Sequence, residues 1–307
     1  MKRDPFYWLS FFCVLLGAAC YGLLPAFIKQ AYAEGFTQGQ VTVHQMGIAM
    51  LLLWLIALAR MKKRRSRVGG SWLKLSLIGI IGLGLTNLFY FAALRMLDAS
   101  LAIVLLFQFT WITILLDSIQ KRVWPGKQRL AAAIIVMIGT LLSVGLLEDR
   151  LQAVSALGIM VGLLSAVSSS LFIWWTGQLE GRQDPVIRSA VMVSAGFLLI
   201  GLLYGSEAFS ASREGALIFW GLLLGLSAQV VPTLLLNIGI PRIGSSLAAL
   251  LGSVELPVAI AAAWLLVGEP LSVWRIIGIV LIVAGIGIAE LPAVKRKDDS
   301  ARLEEKH

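Results

Sequence analysis

The composition of the chain excludes most classes of soluble protein. Its 307 residues are 58% hydrophobic and 14% charged, with a mean hydropathy of +0.86 and a net charge of +9, whereas an average soluble domain carries about 25% charged residues. Such hydrophobicity also excludes a disordered chain, and two cysteines are too few for a disulfide-rich scaffold. We therefore expect a polytopic membrane protein.

Ten apolar runs follow one another along the chain, each near the roughly 20 residues that a helix needs to cross the hydrocarbon core. The connections between them are too short to hold a soluble domain. The first run is long and lacks a small-residue cleavage site, so we interpret it as a retained helix. The sequence thus predicts an all-α membrane protein with ten transmembrane helices, at residues 8–31, 41–60, 72–94, 98–117, 128–146, 154–176, 187–206, 216–239, 243–266 and 272–290.

Lysine and arginine are distributed unevenly among the connections, and basic connections resist translocation. With the N-terminus placed in the cytoplasm, 21 of the 26 basic residues fall on the cytoplasmic side and five on the other. This bias predicts a multi-pass protein of the cell (inner) membrane with both termini cytoplasmic. We interpret the dense basic run Arg60–Arg67 as a topology signal that can also touch anionic lipid, and not as a nucleic-acid site.

The two halves of the sequence resemble each other at an offset of 146 residues, which aligns Ser100-Leu101-Ala102 with Ser246-Leu247-Ala248 and Gly79 with Gly225. Because each half has five helices, an odd number, the halves enter the membrane in opposite directions. Inverted repeats are typical of transporters, which need two pseudo-equivalent conformations. We predict two inverted five-helix repeats at residues 1–149 and 150–291, and a charged cytoplasmic tail at residues 292–307.

The second half carries three motifs that are similar to those of a known family. Glu255-Leu256-Pro257, Gly268-Glu269-Pro270-Leu271 and Gly278…Gly285-Ile286-Gly287 resemble the EamA-type branch of the drug/metabolite transporter superfamily. The first half departs from the pattern, with Trp111 opposite Pro257 and with His44-Gln45 where many relatives have an arginine. The resemblance implies secondary transport through a central cavity lined by helices one, three, four, six, eight and nine. Amino acids and related compounds are the substrates that it implies.

An acidic residue lies in the middle of the ninth apolar run, where a charge is costly and a functional role is the default hypothesis. Glu255 shares its helical face with the small residues Ala248, Gly252, Ala259 and Ala262. Small neighbours leave room for a ligand or for another backbone. A carboxyl group there can exchange a proton with solvent or pair with a substrate ammonium. The alternative is a structural role, either between helices or at the bend caused by Pro257.

The fourth run offers an amide and an indole three residues apart, Gln108 and Trp111, and so on one helical face. Together they suit a partly polar, partly apolar solute. The alternative is that Gln108 ties helices together while Trp111 packs against lipid. The eighth run carries Gln229 and Thr233 around Pro232, and a proline frees backbone groups that polar neighbours must satisfy.

Asn87 is the symmetry mate of Thr233, and Tyr90 follows it by three residues. Tyr21 lies in the first run, a few residues before Pro25. These side chains are expected to face the same centre, with hydrogen bonding between helices as the competing interpretation. The predicted substrate-binding residues are Tyr21, Asn87, Tyr90, Gln108, Trp111, Gln229, Thr233 and Glu255, with Glu255 also proposed for proton coupling.

Sequence patterns of enzymes and metal sites are missing. The chain has two histidines and two cysteines, too few for a metal cluster, and it lacks a zinc-protease motif, a nucleophile elbow and a phosphate loop. We expect no enzymatic activity, no metal and no cofactor. The hypothesis is a secondary active transporter that exports a small amphipathic metabolite, such as an amino acid or a related compound, by alternating access.

Two alternatives to export stay open at this point: import of a similar solute, and a non-transporting role as a membrane regulatory or assembly protein. The partners that we expect are a small-molecule substrate, membrane lipid and protons, and no nucleic acid. Self-association into a homodimer is a further open alternative.

Overall fold

A computed structural model of the chain describes residues 5–63, 71–97, 99–144, 155–179, 184–208, 214–268 and 271–290. These residues form ten helical segments that we number in chain order. They are α1 (Pro5–Ala33), α2 (Gln38–Lys63), α3 (Trp72–Ile78, Gly79–Leu85 and Thr86–Leu94), α4 (Ala99–Phe107 and Phe109–Lys121), α5 (Lys127–Ser143), α6 (Ala156–Gly177), α7 (Pro185–Ala208), α8 (Glu214–Gly225, Leu226–Val230 and Val231–Ile243), α9 (Ser245–Gly252, Glu255–Ala262 and Ala263–Val267) and α10 (Val273–Glu290).

The prediction of an all-α membrane protein built from two repeats is confirmed. Eight of the segments are long and apolar enough to cross a membrane, and Val273–Ala289 of α10 is a shorter apolar helix. The remaining segment, α5, has 17 residues and packs along α10. Several predicted boundaries, including residues 145–154 around the junction of the halves and the tail at residues 292–307, fall outside the described residues.

Contacts between the two halves come in symmetry-related pairs. The first helix of each half packs on the third and fourth helices of the other half, so α1 contacts α8 and α9 as α6 contacts α3 and α4. In the same way α2 contacts α8 as α7 contacts α3. The pairs α2 with α7, α4 with α9, and α5 with α10 join equivalent helices directly. The five-helix halves are therefore wrapped around each other and share one interior.

Four helix interruptions repeat in the same register, whereas the π-helical piece Ala263–Val267 of α9 has no counterpart in α4. A π-helical segment at Gly79–Leu85 interrupts α3, and another at Leu226–Val230 interrupts α8. The break in α4 lies at Gln108, and the break in α9 includes Val254, which is 146 residues further along the chain. Departures of this kind from α-helical geometry are frequent at functional sites. The repeat is therefore present both in the sequence and in the positions at which these helices are interrupted.

Two glycines that align in the repeat have the same structural role. A Cβ atom at Gly79 would overlap the backbone of Met192, where α3 meets α7. A Cβ atom at Gly225 would lie 2.9 Å from the carbonyl oxygen of Gln45, where α8 meets α2. In both halves, absence of a side chain lets a neighbouring helix approach the start of the π-helical segment closely.

The helix ends separate into two layers, as successive crossings of a membrane require. At one end, Arg60 of α2 lies 3.5 Å from Asp184, which precedes α7. At the other end, Trp220 of α8 donates to Glu34, which follows α1, at 3.0 Å. Of the other basic residues in the predicted topology signal, Arg64, Arg65 and Arg67 lie outside the described residues.

Candidate functional site

A cavity of about 160 Å³ lies between the two halves, roughly ten times the minimum volume that admits one water molecule. Its walls come from α1, α2, α3, α4, α6, α8 and α9. Helix α2 was not among the helices expected to line it. The lining is largely apolar, and its polar residues are Tyr21, Gln45, Thr86, Asn87, Tyr90, Ser169, Gln229 and Glu255.

The cavity lies where the four interrupted helices meet. Leu83 of the α3 π-helical segment and Gln229 of the α8 segment line it. Phe109 lines it directly after the break in α4, and Glu255 does so directly after the break in α9. Irregular helices inside membranes occur where they border a cavity or are buried in protein. The cavity therefore accounts for the interruption of these four helices at symmetric positions.

Glu255 begins the second helical piece of α9 and lines the cavity with Ala248 and Gly252 of its predicted small-residue face. A carboxylate in the first turn of a helix interacts favourably with the helix dipole. The Glu255 carboxyl is close enough to Tyr21 and Tyr90 to act on both electrostatically. Among the described residues, no side chain forms an ion pair or a hydrogen bond with it. Its oxygens are thus available to a ligand.

The backbone at Glu255 is in close contact with α1. A side chain at Gly22 would overlap the carbonyl oxygen of Glu255 and contact Val258. This close packing of α1 on α9 places Tyr21, the neighbour of Gly22, at the same cavity as Glu255. The structure therefore fixes the position of the acidic residue through backbone contact, while its side chain stays accessible.

Amide side chains from both halves reach the cavity wall. Asn87 donates from Nδ2 to the carbonyl oxygen of Leu83 at 2.9 Å. Gln229 donates from Nε2 to Oγ1 of Thr233 at 3.5 Å. Thr233 itself is fully buried and is absent from the cavity lining, so it lies behind the wall and supports Gln229.

Gln108 and Trp111 lie outside the cavity, which corrects the expectation that they face it. The indole of Trp111 donates to Oε1 of Gln108 at 2.7 Å, and Gln108 donates from Nε2 to the carbonyl oxygen of Val104 at 3.0 Å. Trp111 is 39% exposed and is absent from the cavity lining. Leu106 and Phe109 line the cavity instead. Two residues along a helix turn the side chain by about 200°, so the polar pair points away from the interior.

Sequence reasoning missed several lining residues. Gln45 is 6% exposed and lines the cavity from α2, and an amide within an apolar run is the signal that would have found it. Thr86 precedes Asn87 directly, and its hydroxyl is buried without a hydrogen-bond partner. Ser169 and the ring of Phe172 line the cavity from α6, but serine and phenylalanine are common in membrane helices and give no comparable signal.

Within the described residues, no group of three histidine, cysteine, aspartate or glutamate side chains could hold a metal ion. The chemistry that this cavity offers is consequently that of one carboxyl group, several neutral polar groups and aromatic rings. Such a site can bind and release a solute or a proton.

Comparisons with known proteins agree with this geometry. The model of the EamA-like transporter family matches residues 8–145 and 156–290. The uncharacterized transporter YcbK of Bacillus subtilis (strain 168) is 24% identical over 294 residues, which covers 92% of this chain and 94% of that protein. The uncharacterized transporter YyaM of the same organism is 24% identical over 309 residues, which covers 95% of this chain and 99% of that protein.

A solved crystal structure has the same fold. It superposes with a TM-score of 0.75 at 18% identity, over 94% of this chain and 99% of that chain. The family match extends over both halves and leaves only the ends and the junction between the halves unmatched. The chain is therefore a multi-pass membrane transporter that belongs to the EamA-like transporter family.

Proposed function

We propose that this transporter is a secondary active exporter of a small amphipathic metabolite and works by alternating access. The observation that carries the proposal is the cavity between the two halves, bordered by four helices that are interrupted in symmetric register. Interrupted helices at the interface of inverted repeats are where secondary transporters bind their substrates. The units that move are the two repeats, at residues 1–149 and 150–291.

The symmetry of the contacts supports alternating access. Each contact between α1 and the second half has a counterpart between α6 and the first half. A conformation in which the two halves exchange these roles would open the same cavity to the opposite side of the membrane. Both conformations use one set of helix surfaces, so the change can occur by rocking of preformed halves and needs no refolding.

Within this mechanism, Glu255 is the residue that couples transport to protons. It is the ionisable acid of the cavity, and the other titratable groups that face it are Tyr21 and Tyr90. Since its carboxyl lacks a protein partner in the described residues, it is free to exchange its proton with solvent in whichever direction the cavity is open. The distribution of basic residues supports an orientation in the inner membrane with both termini cytoplasmic. It concerns topology alone, and the direction of transport is a separate part of the proposal.

An efflux screen tests the proposal. Cells that overproduce the protein are loaded with a panel of metabolites, and efflux is followed with and without a proton gradient. Glu255→Gln is expected to abolish the response of efflux to the gradient. Glu34→Gln is the matched control, since it changes a glutamate at the helix ends whose partner is Trp220. Wild-type efflux by Glu255→Gln with an unchanged pH profile would remove the coupling role.

Substrate binding can be checked independently of transport. A ligand that binds only the folded protein raises its melting temperature, so the compounds that are exported should stabilise the purified protein in detergent. If no compound in the panel is exported or stabilises the protein, the proposed export of small amphipathic metabolites through this cavity is contradicted.

A further inference from the structure

Both halves present hydrogen-bond acceptors to the cavity, next to the hydroxyl groups of Tyr21, Thr86, Tyr90 and Ser169. Asn87 and Gln229 each use one of the two N–H groups of the amide to donate to Leu83 and Thr233, and their oxygens are open to a ligand. No hydrogen bond within the described residues engages either of these oxygens or the Glu255 carboxyl. An ammonium group, which has three donors and no acceptor, can donate to these two amide oxygens and to the Glu255 carboxyl.

The charge of the cavity leads to the same conclusion. Its lining contains Glu255 and no lysine, arginine or histidine. A ligand carboxylate would have no cationic partner, and it would enter a site that already holds an acid. Burying an unpaired charge is strongly unfavourable, and a like charge nearby makes it more so. Anions, and zwitterions to a lesser degree, are therefore discriminated against.

Aromatic rings from both halves complete the site. Tyr21 and Phe109 come from α1 and α4, Tyr90 comes from α3, and Phe172 comes from α6. The faces of aromatic rings attract cations, most strongly where water is excluded, and they also bury an apolar body. The rings would thus attract the charged end of such a cation and bury its apolar end.

We propose that the substrate is a small monovalent organic cation, a protonated amine with an aromatic or apolar body and no carboxylate. The inference rests on the proposed transport function and narrows its substrate class. The ammonium group pairs with Glu255 and donates to the oxygens of Asn87 and Gln229, and the body lies against Phe109 and Phe172. Amino acids, the class implied by the family resemblance, differ from this substrate by the carboxylate for which the cavity lacks a partner.

Four compounds that share a phenyl ring separate the contributions of the ammonium and carboxylate groups to binding. They are phenethylamine, phenylalanine, 3-phenylpropionate and 2-phenylethanol. Two parallel sets of four compounds carry an indole or an isobutyl group in place of the phenyl ring. They show whether a failure to bind comes from the shape of the apolar body and not from its charged groups. Purified protein in detergent is titrated with each compound while its melting temperature is followed, and exchange is measured in proteoliposomes. We expect the amine of at least one set to bind at least tenfold more tightly than its amino acid and its carboxylic acid.

Glu255→Gln should lower the affinity for the amine at least tenfold and leave the affinity for 2-phenylethanol within about twofold. The alcohol thus reports that the cavity of the variant is intact. Trp111→Ala, which changes an aromatic residue outside the cavity, should leave the preference for the amine unchanged.

Three results would overturn the proposal. The first is binding of an amino acid or carboxylic acid as tight as that of its matched amine, and the second is an unchanged preference for the amine in Glu255→Gln. The third is the absence of binding by all amines tested. Exchange of phenylalanine without exchange of phenethylamine would reject the cationic substrate and leave the transport function standing, so the two proposals fail separately.

Discussion

Ser245 donates a hydrogen bond to Oδ1 of Asp117 at 2.9 Å and so joins the start of α9 to the end of α4. Ser246 donates to the other carboxylate oxygen, and Lys121 lies 2.8 Å from it. Asp117 is 5% exposed. The repeat places Ala263 at the equivalent position of the second half, so the carboxylate that links the halves here has no equivalent at the symmetry-related position.

Replacing Asp117 with alanine should destabilise the protein. The substitution leaves the hydroxyls of Ser245 and Ser246 buried without their acceptor, and an unsatisfied buried polar group costs about 1–3 kcal/mol. Thermal unfolding in detergent measures the loss as a lower melting temperature. Asp117→Asn keeps one acceptor oxygen and should lose less.

The control for this substitution is the ion pair between Arg60 and Asp184, whose side chains are 61% and 21% exposed. Exposed pairs of this kind contribute about 0–1 kcal/mol, so Arg60→Ala should change the melting temperature much less than Asp117→Ala. Equal effects of the two substitutions would show that the link between α4 and α9 is not a principal contributor to stability.

Alanine at Gly79 should destabilise the packing of α3 on α7. The added Cβ atom would overlap the backbone of Met192, and overpacking of a tight interface costs about 1–3 kcal/mol. Gly287→Ala is the matched control, because no atom lies within 4 Å of its Cβ position and alanine is the better helix former by about 1 kcal/mol. Melting temperatures of the two variants should change in opposite directions. A neutral Gly79→Ala would contradict the close approach.

The sequence predicts more of the fold than of the cavity. Length and hydropathy are sufficient for ten helices, and the offset of 146 residues aligns Gly79 with Gly225 before their shared role is known. That role depends on which helix approaches each glycine, and a hydropathy pattern does not contain this information. The π-helical segments at Gly79–Leu85 and Leu226–Val230 likewise leave no periodic signal in uniformly apolar runs.

Polar residues at membrane depth are the best guide to the cavity, because burying them without a purpose is costly. This rule selects Tyr21, Asn87, Tyr90, Gln229 and Glu255, all of which line it; their binding of substrate stays a prediction. The rule fails at Gln108 and Trp111, because a polar pair can also satisfy its hydrogen bonds away from the cavity. Which face of α4 is turned inward is decided by packing against α6 and α9, and not by polarity.

Phe109 and Trp111 therefore form a matched pair for testing the lining. Phe109→Ala removes a ring from the cavity wall, and loss of an aromatic contact of about 0.5–1.5 kcal/mol should weaken the apparent affinity for an exported substrate by roughly two- to twelvefold. Trp111→Ala should change it by less than about twofold. Concentration dependence of exchange in proteoliposomes measures both. A larger loss of affinity in Trp111→Ala than in Phe109→Ala would indicate that Trp111 belongs to the binding site.

Single cysteines on two connections test the topology. Met96 lies between α3 and α4 and is 42% exposed, and Val123 lies between α4 and α5 and is 67% exposed. In a background that lacks Cys13 and Cys20, a membrane-impermeant maleimide should label Met96→Cys in intact cells and Val123→Cys only after permeabilisation. The reason is that one crossing, α4, separates the two positions, and the basic residues Lys121 and Arg122 are expected to keep the second on the cytoplasmic side. Labelling of both from outside would contradict the crossing by α4, whereas the reverse pattern would preserve the ten crossings and invert the orientation of the whole protein.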